Sequence, residues 1–559
     1  MRLALATCLL VLGLAPAAFG HAVLQGSVPE RGAALDVSPG QVEFRFSEAV
    51  EGAFGAVRVY DARSERVDTG EIVRPDDSAS IGVKLRPRLP DGTYVATFQV
   101  ISADSHPVSG GIVFTVGEGG GTAPAVADLV GTGTGPVTEI AFGIARGVSY
   151  AATALLVGGL VFLLAVWRTA LLGPATARAR RLGVGAALAG VVAGVCGLAL
   201  QGATASSTTF RAALDPDVLA SVLDTRFGRA WALRVLAFAA LGAIVALTLR
   251  GRPLPQARVV ALAAGIGAAC VCLAPSFAGH AAASDPQAAL VPLDVVHVLA
   301  MSAWIGGLAV LLVVVPAATR ALDPPERTRL LARLLLRFSP LALGCVLVLL
   351  ATGIAQSLLH VDRWGALLDT PFGRAVLIKI GLVVVLVAIG AVQRRRVVPR
   401  LRRAAEEGAT PGAAGVLLRT ALRAEVVLAV VVLGVTSALV AYPPADAVAA
   451  GPYAASKVLG ANTVEITLDP ASVGPNELHV YLLDKRTGAP FDGTQELTVT
   501  ASLPDEDIGP LDAQPRKAGP GHYVVDGLNL VPAGEWRLEI ASRTSEFDEE
   551  RTALDVEIR

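Results

Sequence analysis

VPLDVVHVLAMSAWIGGLAVLLVVV (291–315) decides the fold of this chain. Its only ionisable side chains are Asp294 and His297, and it exceeds the roughly 20 residues that an α-helix needs to cross a bilayer. Seven further apolar runs accompany it; the eight centre near 155, 192, 239, 267, 304, 346, 384 and 431. Over 559 residues, 53% are hydrophobic and 17% charged, which indicates an integral membrane protein surrounded by lipid. A formal net charge of -1 argues against a nucleic-acid partner.

The connections between these runs alternate in charge. Arginines crowd the first (Arg168, Arg178, Arg180, Arg181), the third (Arg250, Arg252, Arg258), the fifth (Arg320, Arg327, Arg329, Arg333) and the seventh (Arg394, Arg395, Arg396, Arg400, Arg402, Arg403). GHAAASDPQAALVPL (279–293) has no Lys or Arg. The positive-inside rule then gives a multi-pass protein of the plasma (inner) membrane with both termini extracytoplasmic. The runs also repeat. DTRFGRA (224–230) returns as DTPFGRA (369–375), Arg234 corresponds to Lys379, and VGGLVFLL (157–164) returns as IGGLAVLL (305–312). A four-helix unit keeps its orientation when duplicated, so the repeats are parallel. Duplication alone explains the matches without giving them a function.

The expected fold is therefore mixed: an all-β sandwich, an eight-helix transmembrane bundle, and a second all-β sandwich. Residues 1–20 read as a signal peptide, with Arg2, an apolar stretch and the small-residue ending Ala18-Phe19-Gly20. Residues 21–117 carry period-2 runs such as QVEFRFSE (41–48) and GTYVATFQV (92–100), which is strand patterning. A Gly-rich linker (118–139) leads to the membrane domain (140–442). Residues 443–559 pattern as strands again in NELHVYLLD (476–484) and EWRLEIAS (535–542), a sandwich of about seven strands. Of five cysteines, Cys8 lies in the signal and Cys196, Cys270, Cys272 and Cys345 in apolar runs, so the flanking domains have no disulfide framework.

Cleavage after Gly20 makes His21 the first residue. Its α-amine and imidazole then close one chelate ring, a set suited to Cu(II). Asp104 and His106, two apart, share one face of a regular strand and supply a carboxylate and a second imidazole. The alternative is that Asp104-Ser105-His106-Pro107 is a plain turn.

HAVLQGSVPERGAALDVSPGQVEFRFSEAV (21–50) and ISADSHPVSGGIVFTVG (101–117) resemble the CopC family of periplasmic copper-binding proteins. The resemblance implies a Cu(II) site of His21, Asp104 and His106. It also implies a Cu(II)-only site, because the only methionines are Met1 and Met301. GHA (279–281), HVLAMSAWIGGL (297–308), RFS (337–339), DTPFGRAVLIK (369–379) and RAE (423–425) resemble the CopD family, associated with copper movement across the inner membrane. The fusion looks like Gram-positive copper-uptake proteins, and the last domain is similar to FixH/YtkA-like sandwiches.

Polar residues within membrane helices are functional candidates. Asp294, His297 and Met301, spaced i, i+3 and i+7, share a helix face, and with His280 they compose a candidate copper path. His360 stands near another helix end, and His479 and His522 are candidates in the last domain. The competing reading makes His297 a hydrogen bond between helices and His280 and His360 interfacial residues. No GxxxxGK[ST] is present, so no P-loop ATPase is encoded. LLDKRTG (482–488) is not a phosphorylation site of P-type pumps, since Arg486 interrupts the motif. The expectation is a non-enzymatic importer with copper as cargo and a copper chaperone or reductase as partner. The alternatives are a resistance or efflux component, a haem-containing copper reductase using paired histidines, an oxidative copper enzyme, and a sensor.

Overall fold

The structure is a computed structural model. It describes residue 22; residues 24–117 other than 31–32, 47, 53–55, 76–77 and 103–106; residue 129; and residues 136–558 other than 169–173, 207–214, 250–256, 280–286, 321, 361–364, 443–452, 470, 472 and 486–489.

Alternating apolar residues build the first domain. Strand β3 (Gln41–Phe46) turns Val42, Phe44 and Phe46 inward and Glu43 and Arg45 away. With β1 (Leu24–Val28), β5 (Asp68–Val73) and β6 (Ser80–Leu85) it forms one sheet, in the order β1-β3-β6-β5. The second sheet, β2-β8-β7-β4, joins β2 (Ala34–Leu35), β8 (Pro107–Val116), β7 (Gly92–Ile101) and β4 (Val57–Asp61). Phe98 of β7 meets Phe44 at 4.9 Å and Phe46 edge-on at 5.1 Å between ring centroids, which ties the two sheets together. Gly110 makes room for that ring, since a Cβ there would lie 2.7 Å from Phe98 Cζ. Ala22 is 2% exposed and belongs to the same core. Asp68 is buried and accepts hydrogen bonds from Arg66 and from the amides of Val59 and Gly70. Burial alone would raise its carboxyl; those bonds outweigh burial and hold it below the usual carboxylate range.

Among the described residues, the membrane domain contains eight long helices: α1 (Pro136–Val161), α2 (Pro174–Ser206), α3 (Arg226–Thr248), α4 (Ala257–Phe277), α5 (Gln287–Val313), α6 (Pro324–His360), α7 (Pro371–Val392) and α8 (Gly412–Leu439). Seven of them, α1 to α7, are long and apolar enough to cross a membrane, and the chain is a multi-pass membrane protein. The count differs by one from the eight expected spans: α8 forms where the eighth run lies but carries Arg419, Arg423 and Glu425 in its first half. Both repeated motifs have a structural purpose. In DTRFGRA, Thr225 caps α3 by accepting from the Gly228 amide at 3.0 Å; in DTPFGRA, Thr370 caps α7 through the Gly373 amide at 2.9 Å. The VGGL and IGGL segments pack α1 on α5. A Cβ on Gly158 would lie 1.8 Å from the Ser302 carbonyl oxygen, and one on Gly306 would lie 2.2 Å from the Ala154 carbonyl oxygen. Gly158 and Gly306 are equivalent in the repeats, as are Ala154 and Ser302, so the crossing is symmetric and backbone-close.

Among the described residues, the C-terminal domain has nine strands rather than about seven. Strands β14 (Arg516–Gly519), β15 (His522–Leu530), β11 (Gly474–Asp484), β10 (Asn462–Asp469) and β9 (Tyr453–Leu459) form one sheet in that order. Strands β13 (Ile508–Ala513), β12 (Glu496–Leu503), β16 (Gly534–Arg543) and β17 (Glu549–Ile558) form the other. The short β13 and β14 add edge strands that the sequence pattern does not announce. Leu478, Val480 and Leu482 of β11 share a core with the fully buried Trp536, whose indole donates to the Pro532 carbonyl at 3.0 Å.

The glycine crossing makes a direct prediction. Gly158→Ala should destabilise the bundle by about 1–3 kcal/mol, because the neighbour is backbone and cannot swing away. Gly159→Ala, whose Cβ would meet only Val310 Cγ2 at 3.9 Å, should be near neutral. Thermal unfolding of both variants in detergent checks this, and equal melting temperatures would refute the crossing.

Candidate functional site

The expected capture site and part of the expected membrane path fall outside the described residues: His21, Asp104, His106 and His280 are not among them. What surrounds the first three is described. β7 ends at Ile101, β8 begins at Pro107, and these two residues are paired across the hairpin. At the start of β1, Leu24 pairs with Phe46, and Phe46 packs on Phe98, three residues before the end of β7. Ala22 is anchored in the core, and neighbouring Cα atoms are about 3.8 Å apart. The attachment point of His21 and both ends of the 102–106 connection therefore lie toward one end of the sandwich.

Inside the bundle, side chains of six helices, α1 and α3 to α7, form a polar interior. Asp294 on α5 accepts from Ser276 of α4 at 2.6 Å and from Gln356 Nε2 of α6 at 3.4 Å. Lys379 of α7 interacts electrostatically with both Asp294 and His297. Its repeat equivalent, Arg234 of α3, is 2% exposed and donates to Thr153 of α1 at 2.9 Å, with the rings of Tyr150, Trp231 and Phe238 within 6 Å of its guanidinium carbon. Tyr150 in turn interacts with Arg234 and Asp294. The two cations of the repeat thus face the interior from opposite halves of the sequence.

His297 Nδ1 lies 2.8 Å from Thr352 Oγ1 of α6. Thr352 has one hydroxyl proton, and it points at the Val348 carbonyl, 2.7 Å away. The threonine oxygen therefore accepts from His297 Nδ1–H, and the neutral imidazole keeps its lone pair on Nε2. An outer-shell partner of this kind is what orients a histidine ligand. The hydrogen bond between helices, one of the two sequence readings, is present, and it leaves the metal-binding nitrogen of the other reading unused. Met301 is half-buried one turn further along α5. His360 ends α6. Cys272 and Cys345 are buried packing residues. Among the described residues, no three or more of His, Cys, Asp and Glu gather into a group able to hold a metal. Sequence reasoning passed over Ser276, Thr352 and Gln356; the i, i+4 pair Thr352 and Gln356 in the apolar α6 was the available signal. A further buried pair, Gln393 donating to Glu425 at 2.7 Å, explains the charge in RAE (423–425).

Three family profiles match the chain: "CopC domain" over residues 24–117, "Copper resistance protein D-like, N-terminal domain" over 137–290, and "Copper resistance protein D" over 332–439. The chain joins a CopC domain to a CopD membrane domain. It is 27% identical over 558 residues to "Copper transport protein CutJ" of Bacillus subtilis (strain 168), covering 97% of this chain and 96% of that protein. "Copper resistance protein C" of Escherichia coli is 29% identical over 114 residues, covering 19% of this chain and 90% of that protein. The solved "CopC from Methylosinus trichosporium OB3b" is 29% identical and covers 17% of this chain and 93% of that chain, with a TM-score of 0.16. The polar interior belongs to the CopD part, where Asp294 sits between the spans of the two D-type matches and its partners Ser276 and Gln356 lie one within each.

Asp294 is the group on which that interior turns. Asp294→Leu should cost about 3–5 kcal/mol, because Lys379 loses its counter-charge and Ser276 and Gln356 lose an acceptor. Asp294→Asn, which keeps an acceptor oxygen, should cost less. The order of melting temperatures in detergent, wild type above Asn above Leu, is the measurement.

Proposed function

We propose that this chain imports copper: Cu(II) is captured outside the cell by His21, Asp104 and His106 and passed into a membrane path that includes His280, Asp294, His297 and Met301. What supports the reading is that the anchored Ala22 and the described ends of the β7–β8 connection, Ile101 and Pro107, lie toward one end of the CopC sandwich. That end supplies an α-amine, two imidazoles and a carboxylate, a nitrogen-rich set that suits tetragonal Cu(II). The polar interior supports the second half. A carboxylate and an imidazole are retained inside an apolar bundle, and the imidazole is held with Nε2 bare. The names of the relatives, copper transport and copper resistance, agree with copper as the cargo. The role is transport rather than catalysis, with a chaperone or reductase as partner. Import follows from a capture domain placed outside, an orientation read from the arginine-rich connections; a periplasm-active reporter fused after Arg559 tests it. The resistance names favour efflux as the second reading, and the sign of copper accumulation separates the two.

The capture site depends on a free N-terminal amine. One extra residue before His21 should weaken Cu(II) binding by more than the about 10–100-fold that losing an outer-shell partner costs. Binding should also fall as pH drops through the ordinary range of the amine and imidazoles, about 8 to 6.5, because protons compete for the same lone pairs. Titration of purified full-length protein reads both effects; an extension without effect would remove the chelate.

The membrane path depends on His297. Cells producing His297→Ala should lose copper accumulation, while the purified variant keeps its Cu(II) stoichiometry, since the capture residues lie in another domain. Normal accumulation at matched protein level would leave His297 a purely structural residue.

A further inference from the structure

The C-terminal sandwich contains a second pair of histidines that the proposed route does not use. On β11, Leu478, Val480 and Leu482 face the core, so Glu477, His479 and Tyr481 occupy the opposite face of the sheet. His522 on β15 pairs directly with Tyr481, which sets it diagonally beside His479. Both imidazoles are nearly enclosed, at 3% and 5% exposure. Polar rings on a non-core face normally stay solvated, and enclosing two of them is costly unless each nitrogen has a partner.

The partners are in place. His479 Nδ1 lies 3.0 Å from His522 Nε2. The other nitrogen of His479, Nε2, lies 3.0 Å from Glu477 Oε1. A carboxylate only accepts, so His479 carries a proton on Nε2, and in the neutral ring its Nδ1 lone pair points at His522. The rings are tilted by only 15° with centroids 5.3 Å apart, little more than the nitrogen separation plus two ring radii. The two nitrogens therefore face each other end to end. Tyr481 stacks on His522 at 4.3 Å and 8° and holds that ring in its plane.

We propose that His479 and His522 form a monovalent-copper site, the ion inserting between His479 Nδ1 and His522 Nε2. End-on imidazoles offer two collinear lone pairs, the arrangement that two-coordinate Cu(I) uses. Zn(II) needs four tetrahedral ligands and Cu(II) a tetragonal set, and no third metal-binding side chain joins the pair among the described residues. Bonds of about 2.0 Å to each nitrogen require a separation of about 4 Å, so the pair opens by about 1 Å. His522 is the first residue of β15, just after Gly521 at φ +63°, and a strand end moves more easily than its middle. The proton now on His522 Nε2 leaves, and the ring stays neutral by taking one on Nδ1 from water. Glu477 is the orienting carboxylate behind His479; its side chain is 52% exposed, so the pair lies one residue from solvent.

This site is independent of the Cu(II) capture reading, and the two are separated by oxidation state. Full-length protein in detergent is loaded anaerobically with Cu(I) against a colorimetric Cu(I) chelator, and separately with Cu(II). His479→Ala/His522→Ala should bind one fewer Cu(I) and the same amount of Cu(II). Unchanged Cu(I) stoichiometry would overturn the proposal. If the double variant does not fold, Glu477→Gln decides, because that side chain is half exposed and is not itself a ligand. It should weaken Cu(I) binding about 10-fold; an unchanged affinity would overturn the site.

Discussion

The close crossing of α1 and α5 at Gly158 and Gly306 is the constraint on which the membrane domain rests. Lipid tails are as apolar as leucine, so helices in a bilayer gain little by hiding apolar surface and associate through close backbone packing instead. Here two glycines that are equivalent in the repeat meet face to face, with Ala154 and Ser302 carbonyls where their side chains would be. This brings α5 into the interior, against α1, α6 and α8. Asp294 and His297 are on α5 and become tolerable because of it. Turned toward lipid, each would cost several kcal/mol; turned inward, each finds a partner on α4 or α6.

Much of this was legible in the sequence, and the reason is periodicity. Strands β3, β7, β11 and β16 lie where alternation placed them, within a residue or two. The repeat motifs were equally visible, but their meaning was not. DTRFGRA and DTPFGRA carry three and two charged residues and invite a functional reading, yet their threonines cap helices. A capping bond depends on where the helix starts, and a repeat alone does not report that. The partners of the polar interior were hidden for a related reason. Ser276, Thr352 and Gln356 are ordinary residues inside apolar runs, and only the packing of α4, α5 and α6 gives them a carboxylate or an imidazole to meet. The edge strands β13 and β14 escaped because short strands with few inward residues leave little pattern.

The two sandwiches put sheet geometry to different ends. In the CopC domain, the Phe46–Phe98 contact ties the start of β1 to the last residues of β7, so the segment at Ala22 and a hairpin connection, distant in sequence, come toward one end. On the proposed reading, a cut before His21 adds an amine that no side chain provides, and that end then suits a chelate with mixed nitrogen and oxygen ligands. In the C-terminal domain, the histidines stand on neighbouring strands and are aligned by cross-strand register instead. Register fixes direction closely, and the result is two nitrogens pointed at each other with a carboxylate behind one of them.

These arrangements bear on the valence of the travelling ion. Lys379 faces Asp294 and His297, and Arg234 stands behind Tyr150 in the same interior. One carboxylate and two cationic side chains make this a poor environment for an added divalent ion. The solvation cost of burying an ion grows with the square of its charge, so a divalent ion costs about four times as much as a monovalent one of equal size. On the proposed route, an ion bound outside as Cu(II) meets an interior in which Asp294 stands with the cationic side chains of Lys379 and Arg234. That imbalance is eased when the ion crosses as Cu(I).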